Sequence, residues 1–173
     1  MPTQQRGFSL IELLISLAVL GVLLSLAAPS LQTQLQAWRL RAVTWELLQS
    51  FALARQMAME QQKAVLITAK NGQWQQGWSI VIDENNNGLA DSNEPALRHS
   101  PRLTEGIRLS GNTPVSRMVR YTASGTTETL GGAFQAGTLT LCYPTSSLPT
   151  RRFVLRATGR FRVEKDTNGA SDC

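Results

Sequence analysis

Residues 7–30 read GFSLIELLISLAVLGVLLSLAAPS, an apolar run in which the only charged residue is Glu12. Residues 10–30 of this run number about 21, and a helix of that length, rising about 1.5 Å per residue, spans a membrane. A secretory signal core is shorter, at roughly 7–15 residues, and Pro29 directly after Ala27-Ala28 is unfavourable for signal-peptidase cleavage. We therefore expect the segment to be retained as a membrane helix.

A carboxylate inside an apolar helix costs roughly 2.5–3.5 kcal/mol at the centre of a membrane and less near an end, so Glu12 is expected to have a function. The surrounding residues, Arg6-Gly7 followed by Phe8-Ser9-Leu10-Ile11-Glu12, resemble the prepilin peptidase site of type IV pilins and type II secretion pseudopilins. The resemblance implies cleavage after Gly7, N-methylation of the new terminus Phe8, and pairing of Glu12 with the terminal amine of a neighbouring subunit during assembly. The alternative is a single-pass anchor in which the glutamate has no role.

A second apolar pattern follows the membrane-like run. Between residues 30 and 62, apolar residues recur at three- and four-residue steps with polar residues between them, which predicts an amphipathic helix ending near Gln62. The predicted apolar stripe comprises Leu31, Leu35, Trp38, Ala42, Trp45, Leu48 and Ala52, and it is extended by Ala54, Met57, Ala58 and Met59. We expect this stripe, its tryptophans and methionines included, to pack as core against a sheet.

After residue 62 the pattern changes to that of strands. Segments rich in β-branched and aromatic residues alternate with clusters of glycine, proline, serine and threonine, which predicts antiparallel strands joined by turns. The predicted strands are 64–68, 78–82, 107–109, 118–121, 138–143, 152–157 and 160–164. We therefore predict an α+β fold, in which a long N-terminal helix, half membrane-spanning and half amphipathic, packs against an antiparallel β-sheet head as in pilins.

Three further segments resemble the GspH/FimT group of minor pilins and pseudopilins. They are Gly77-Trp78-Ser79-Ile80-Val81-Ile82-Asp83 with Asn85-Asn86-Asn87-Gly88, then Pro95-Ala96-Leu97-Arg98, and finally Thr158-Gly159-Arg160-Phe161-Arg162. With the N-terminus, the resemblance covers most of the chain apart from residues 100–135. The expected organisation is a leader peptide at 1–7, a transmembrane and assembly helix at 8–29, and a periplasmic head at 30–173, with the amphipathic helix at 30–62 and the β region at 63–173.

The 173-residue chain contains two cysteines, Cys142 and Cys173, without the C-x-x-C or Cys/His spacing of a zinc site. This pattern predicts a single disulfide, which is typically worth about 2–4 kcal/mol and requires an oxidising compartment. The cysteines therefore favour a head in an oxidising compartment, and the resemblance to pilins implies an inner-membrane protein with a periplasmic head that later enters an extracellular pilus.

One loop matches a calcium-binding pattern. The spacing of the twelve-residue EF-hand loop is met by Asp83, Asn85, Asn87, Asp91 and Glu94, with Gly88 at the turn. However, a strand is predicted before the loop and Pro95 follows it, whereas EF-hand loops lie between helices, and asparagine–glycine runs form turns unaided. The sequence therefore leaves two interpretations, a calcium site and a plain surface turn, and no cofactor is required.

The formal net charge is +5, and the excess of arginine lies in the second half of the chain, which favours phosphate or carboxylate partners. A predicted hairpin there carries Arg151, Arg152, Arg156, Arg160, Arg162 and Lys165. A three-residue loop at 157–159, or one bulged strand, places Arg156, Arg160 and Arg162 on one face. The apolar Phe153, Leu155 and Phe161 then face inward. A two-residue turn would instead set Arg156 opposite Phe161.

The segment Gly159-Arg160-Phe161-Arg162 resembles the G-R-x-R motif of FimT-like minor pilins. This resemblance implies binding of double-stranded DNA during natural transformation, which occurs in the state of competence. Clustered guanidinium groups suit that ligand, because they bind phosphate oxygens without reading sequence. The expected DNA contacts are Arg160 and Arg162, supported by Arg156, Arg151, Arg152 and Lys165.

The alternative is a structural minor pilin or a GspH-like pseudopilin of type II secretion with no DNA-binding role. In that case the arginines meet neighbouring subunits or form a solvated strand edge. An enzymatic role is not indicated, because His99 is the sole histidine and neither a phosphate-binding glycine loop nor a nucleophile elbow occurs. The expected partners are other pilins, prepilin peptidase, the inner membrane and double-stranded DNA.

Overall fold

The computed structural model describes residues 9–166 and Cys173. Helix α1 runs over Leu10–Gln61, a stretch of 52 residues. It ends where Gln62 adopts a left-handed conformation with a φ of 53°, and the Gln62 side-chain amide donates to the Met59 carbonyl at 2.6 Å. A left-handed residue after the last turn commonly terminates a helix, and the predicted end near Gln62 is confirmed.

The chain divides into two compact units, Met1–Gln36 and Ala37–Cys173. In the first unit, the large apolar side chains described between residues 10 and 24 are each at least half exposed. A contiguous apolar surface of this kind marks contact with a membrane or a partner protein. By length and hydropathy, no single described helix qualifies as a membrane span, but Leu10–Ser25 and Ser30–Gln61 qualify together as a bent pair.

In the described part of the second unit, α1 is followed by eight β-strands, with short 3₁₀ turns after the first of them. The strands are β1 (Ala64–Ala69), β2 (Trp78–Asp83), β3 (Ala96–Ser100), β4 (Arg108–Gly111), β5 (Met118–Tyr121), β6 (Gly137–Cys142), β7 (Thr150–Leu155) and β8 (Phe161–Asp166). They form two four-stranded antiparallel sheets, in the orders β3-β2-β1-β5 and β4-β6-β7-β8. The predicted α+β, pilin-like fold is confirmed.

Two features of the β region differ from the prediction. The strands form two sheets instead of one, and β3 is absent from the predicted strands. Of the five residues of β3, only Ser100 is buried, so the segment lacks the apolar alternation that marks a half-buried strand. The strand exists because its backbone pairs with β2 at the sheet edge, which is a tertiary contact.

The buried face of α1 agrees with the predicted stripe at Ala54 and Ala58 and differs from it over the preceding turns. The helix contributes to the core at three- and four-residue steps through Leu40, Val43, Leu47, Phe51, Ala54 and Ala58. Trp38 is 63% exposed and Trp45 is 67% exposed, so the prediction that they are core residues is wrong. Both sets of residues have the helical period, and periodicity alone does not determine which of two apolar faces meets a sheet.

The tryptophans that do lie in the core keep hydrogen-bond partners for their indole N–H groups. Trp78 on β2 donates to the Ser50 hydroxyl of α1 at 2.9 Å. Trp74 donates to the Val115 carbonyl at 3.0 Å. Both rings are therefore buried without an unpaired donor, and the first bond links β2 to the helix.

Candidate nucleic-acid interface

The β7–β8 hairpin carries the cations that the sequence singles out. The two strands pair antiparallel as far as Leu155 and Phe161. Beyond that pair, the Arg156 backbone N–H donates to the Arg160 carbonyl at 3.0 Å, which leaves Ala157-Thr158-Gly159 as the loop. The three-residue loop is therefore confirmed, and Arg156 lies opposite Arg160.

Strand alternation fixes the face on which each hairpin side chain lies. Arg162 is two residues beyond Arg160 and therefore shares a face with Arg160 and Arg156, and all three residues are exposed. Phe153 and Leu155, at most 1% exposed, lie on the other face. The predicted grouping of these three arginines on one face of the hairpin is confirmed.

Arg151 and Lys165 are cross-strand partners, but they share the face of Phe153 and lie at the end of the hairpin away from its loop. Burial lowers the pKa of Arg151, and the charge of Arg41 on α1 lowers it further. The six predicted cations are thus divided between the two faces of the hairpin, and these two are separated from the three near the loop.

Carboxylates offset part of the charge on the face that carries the other four arginines. Arg152 Nη1 lies 3.9 Å from Asp166 Oδ2, and Arg162 pairs with Glu164. Within the described part of the chain, the two arginines that flank the loop have no carboxylate partner. The uncompensated positive charge is therefore concentrated at the loop end of the hairpin.

An open cleft of about 600 Å³ lies at this end. It is lined by four guanidinium groups, three hydroxyl groups and one aromatic ring, from Arg55, Arg156, Arg160, Arg162, Ser124, Thr126, Thr158 and Phe161. Arg55 belongs to α1, and Ser124 and Thr126 belong to the turn that follows β5. We call this feature the arginine cleft.

The helix and turn residues of the arginine cleft are absent from the site predicted from sequence. Residues 51–59 read FALARQMAM, so Arg55 is conspicuous as the single charge in an apolar part of α1. That signal indicates that its side chain avoids the core. Nothing in the sequence connects it to a hairpin about one hundred residues later, because the two meet only in the tertiary fold.

Close packing of two turns holds the cleft in shape. Gly159 has a φ of +76°, and a Cβ atom there would lie 2.1 Å from the carbonyl oxygen of Gly125. That carbonyl accepts a hydrogen bond from Arg55 Nε at 2.9 Å, and the Tyr121 hydroxyl donates to the Gly159 carbonyl at 3.2 Å. Burial raises the pKa of Tyr121 despite the opposing charge of Arg55, so the hydroxyl retains its proton and remains a donor.

A protein cation from β5 lies beside the first carboxylate of the asparagine-rich loop between β2 and β3. Asp83 is buried and accepts hydrogen bonds from the backbone N–H groups of Asn87 and Gly88, each at 3.0 Å. Arg120 Nε on β5 lies 3.7 Å from Asp83 Oδ2, and the same guanidinium donates to the Asn86 side chain. Arg120 therefore supplies positive charge at the start of the calcium-like pattern.

The remaining acidic side chains of this loop are also engaged by protein donors. Asp91 Oδ2 accepts from the amides of Asn85 and Asn87 at 2.8 and 2.9 Å. The Glu94 carboxylate accepts from the backbone N–H groups of Glu84 and Asp91 at 2.9 and 3.1 Å. Among residues 9–166 and Cys173, no group of three or more His, Cys, Asp or Glu residues is placed to hold a metal ion. The loop fits the plain-turn interpretation and does not fit calcium.

The two cysteines form the predicted bridge. Cys142 at the end of β6 is disulfide-bonded to Cys173, with their Cα atoms 6.0 Å apart. Arg108, the cross-strand partner of Cys142 on β4, donates from Nη1 to the Cys173 carbonyl at 2.8 Å. The C-terminal residue is thus attached to the sheet that contains the hairpin, by one covalent bond and one hydrogen bond.

The family model of the type II transport protein GspH matches residues 43–159, which is more than half of the chain. The chain belongs to the GspH family. A second family model, the prokaryotic N-terminal methylation motif, matches residues 2–28. No curated protein matches the sequence significantly.

Solved structures of minor filament subunits share the fold of this GspH-family chain. The type IV minor pilin FimU of Pseudomonas aeruginosa is 21% identical with a TM-score of 0.60, covering 78% of this chain and 97% of FimU. A second crystal form of FimU gives 22% identity and a TM-score of 0.57, covering 75% and 98%. The minor pseudopilin EpsH from the type 2 secretion system of Vibrio cholerae is 13% identical with a TM-score of 0.53, covering 72% and 95%.

The family and the methylation motif identify this GspH-family protein as a membrane-anchored minor pilin or pseudopilin, a structural class of subunit. The expected processing residues Gly7 and Phe8 lie outside the described residues. Glu12 is exposed in the first turn of α1, and its backbone N–H donates to the Ser9 carbonyl at 3.1 Å. Within the described residues its carboxylate has no ion-pair partner.

Proposed function

We propose that this GspH-family protein is a minor pilin of a type IV pilus that binds extracellular double-stranded DNA through the arginine cleft during natural transformation. The observation that carries the proposal is the convergence of four guanidinium groups on one open cleft at the tip of the hairpin. Arg160 and Arg162 are the principal DNA contacts, and Arg156 supports them directly. Arg152, Arg151 and Lys165 contribute to the positive field at a greater distance.

Guanidinium groups suit a phosphate backbone for two physical reasons. Each is planar, remains charged, and offers paired N–H donors that match two phosphate oxygens. Each phosphate contact also releases a condensed counterion, which drives binding without regard to base sequence and makes the affinity fall as salt rises. A minor pilin that captures DNA from any source requires this kind of recognition.

In this proposal, processing and membrane insertion of the N-terminus lead to a filament that exposes the cleft outside the cell. Prepilin peptidase removes residues 1–7, Phe8 is methylated, and the helix of residues 8–29 holds the chain in the inner membrane with residues 30–173 in the periplasm. The exposed apolar face of α1 and the disulfide are compatible with that route. Glu12 then pairs with the amine of an adjoining pilin as the filament forms.

A second candidate function is a purely structural minor pilin or a type II secretion pseudopilin. It is favoured by the pairing of Arg152 with Asp166 and of Arg162 with Glu164, which reduces the net charge available to a phosphate backbone. It is also favoured by Trp38 and Trp45, which present exposed aromatic surface suited to contact with another subunit.

The two functions are separated by a DNA titration. Full-length protein in uncharged detergent is titrated against a fluorescently labelled duplex at several salt concentrations, with the variants Arg160→Ala, Arg162→Ala and Arg102→Ala. Arg102 is the matched control, because it is an exposed arginine that lines a different cleft.

We expect salt-sensitive binding that weakens in both hairpin variants, with the slope of log affinity against log salt falling by about one for each lost phosphate contact. Arg102→Ala is expected to behave as the wild type. Absence of binding, or equal binding by all variants, would refute the DNA-binding role and leave the structural subunit.

A further inference from the structure

We infer that Arg55 of α1 is a direct ligand of the DNA backbone, and that the arginine cleft seats a phosphodiester group between the helix and the hairpin. The inference rests on the proposed function and extends it. The hairpin alone is then an incomplete binding element, because one wall of the site is supplied by the helix and another by the turn that follows β5.

Arg55 is held in the cleft by one defined hydrogen bond. Its Nε–H donates to the Gly125 carbonyl at 2.9 Å, in a partly buried position. A guanidinium has five N–H donors, so the four on its terminal nitrogens are not used by this bond. Within the described residues Arg55 has no carboxylate partner. A partly buried, oriented and unpaired guanidinium that lines a cleft is suited to an anionic ligand.

The wall beside Arg55 consists of hydroxyl groups. The side-chain oxygens of Thr122, Ser124 and Thr126 lie within 2.8–2.9 Å of one another in a closed triangle. Ser124 and Thr126 also line the cleft, as does Thr158 from the hairpin loop. Hydroxyl protons rotate to suit an acceptor, so these groups add neutral donors beside the charged ones.

The distance between the turn that follows β5 and the loop of the hairpin is fixed by two backbone contacts. Gly125, whose carbonyl orients Arg55, packs directly on Gly159 in the hairpin loop. The Thr127 backbone N–H donates to the Ala157 carbonyl at 3.2 Å and ties the same two turns together. The turns that carry the two sides of the site are therefore held together by backbone contacts, and the Arg55 side chain is already oriented, so little ordering of these parts is required when the ligand binds.

The ligand chemistry follows from the donor set. The cleft offers guanidinium and hydroxyl donors from the helix, the turn and the hairpin, and none of the carboxylates in the described residues lines it. A phosphodiester carries one negative charge, accepts hydrogen bonds and presents its oxygens tetrahedrally, so donors that converge from several directions match it. The same group occurs in nucleic acids and in lipid headgroups. The nucleic acid is favoured because the exposed Arg160 and Arg162, on one face of the hairpin, offer further cations to a ligand that carries a chain of phosphates.

The test uses the full-length protein in uncharged detergent, with the labelled duplex as probe and the variants Arg55→Gln, Arg55→Lys and Arg102→Gln. We expect Arg55→Gln to weaken binding several-fold and to lower the salt slope by about one, as the loss of one phosphate contact requires. Arg55→Lys retains the charge, so it is expected to keep the wild-type slope while binding more weakly, because its ammonium lacks the guanidinium fork. Arg102→Gln is expected to match the wild type.

The outcomes separate this inference from the proposed function. If the wild type binds the duplex and Arg160→Ala loses affinity while Arg55→Gln keeps the wild-type affinity and slope, only the role of Arg55 is overturned. A purely structural role of Arg55 would lower the melting temperature and the affinity but leave the salt slope unchanged, which also overturns the inference. A parallel titration with glycerophosphoglycerol, the water-soluble headgroup of phosphatidylglycerol, identifies the source of the phosphodiester: binding that depends on Arg55 for this headgroup and not for the duplex would overturn the assignment to nucleic acid.

Discussion

Gly125 and Gly159 pack so closely that a Cβ atom on Gly159 would lie 2.1 Å from the Gly125 carbonyl oxygen. The contact joins the turn after β5 to the loop of the β7–β8 hairpin, and Arg55 and Tyr121 each add a hydrogen bond to one of the two glycine carbonyls. Gly159, the glycine of the G-R-x-R segment, is therefore required structurally, because the absence of a side chain lets the loop approach the turn and form the arginine cleft.

Replacement of Gly159 by alanine is expected to destabilise the protein and to weaken DNA binding together. The new Cβ meets backbone, which cannot rotate away, and the φ of +76° is strained for any residue with a side chain. Gly132→Ala is the matched control, since it has a φ of +78° with nothing within 4 Å of the new atom.

Urea unfolding is the measurement, and the expected loss is about 1 kcal/mol for Gly132→Ala, the usual cost of a left-handed alanine. The loss for Gly159→Ala is expected to exceed this by about 1–3 kcal/mol, the usual cost of overpacking. Equal losses in the two variants would show that the two turns move apart at no cost.

Local sequence pattern predicts the hairpin and the three arginines near its tip, because strand alternation and the turn residues act over a few neighbouring positions. The same reasoning correctly predicts the end of α1 near Gln62 and the strand Met118–Tyr121. It misses β3, because this segment is mostly exposed and lacks an apolar alternation. Its pairing with β2 at the sheet edge is a tertiary contact that the local sequence does not indicate.

The remaining errors come from contacts made across the fold. Arg55 joins the cleft because α1 and the hairpin pack together, and the partner of Asp83 is Arg120, which lies on a strand far along the chain. For Trp38 and Trp45 the helical period is right but the phase is wrong, since α1 has two apolar flanks and only the one containing Leu47 meets the sheets. Sequence gives the period of such a helix, and the rest of the fold decides its rotation.

The exposure of the two outer tryptophans leads to a stability prediction. Trp45→Ala is expected to change the free energy of unfolding by within about 0.5 kcal/mol, as for other surface substitutions. Trp38→Ala is expected to cost about 0.5–1 kcal/mol, because Arg41 lies over its ring at 5.1 Å from the centroid. The matched core variant Phe51→Ala, at a residue 2% exposed, is expected to cost about 3–5 kcal/mol.

Urea unfolding of the three variants measures these differences. A loss above about 2 kcal/mol for either tryptophan would place it in the core and would restore the stripe predicted from periodicity.

Tyr121 is expected to make the stability of the protein sensitive to high pH. Burial raises its pKa above the ordinary tyrosine value of 10.0, so above that pH the unfolded chain loses the phenolic proton while the folded chain keeps it. The contribution of this group to stability is therefore complete below about pH 10 and falls as pH rises further, because the folded state then binds more protons.

Chemical denaturation between pH 8 and 11 tests this, with Tyr121→Phe as the comparison. The variant is expected to lose about 1–2 kcal/mol at pH 8, since the Gly159 carbonyl loses its donor. Its stability should then decline less steeply than that of the wild type above pH 10. Parallel declines in the two proteins would show that other groups dominate the alkaline transition.

The loop between β2 and β3 is expected to need Arg120 and not calcium. Because Asp83 is fully buried beside the Arg120 guanidinium, removal of the positive partner in Arg120→Met leaves an uncompensated buried carboxylate, at a cost of about 3–5 kcal/mol. The double variant Asp83→Asn with Arg120→Met removes both charges and is expected to recover part of that loss.

In wild-type melts, 1 mM calcium and excess chelator should give the same melting temperature, whereas a site with a Kd a hundredfold below the calcium concentration would add about 2.7 kcal/mol by mass action. A calcium-dependent rise in melting temperature that survives in Arg102→Ala and disappears in Glu94→Gln would show that the loop releases its internal hydrogen bonds to a metal ion.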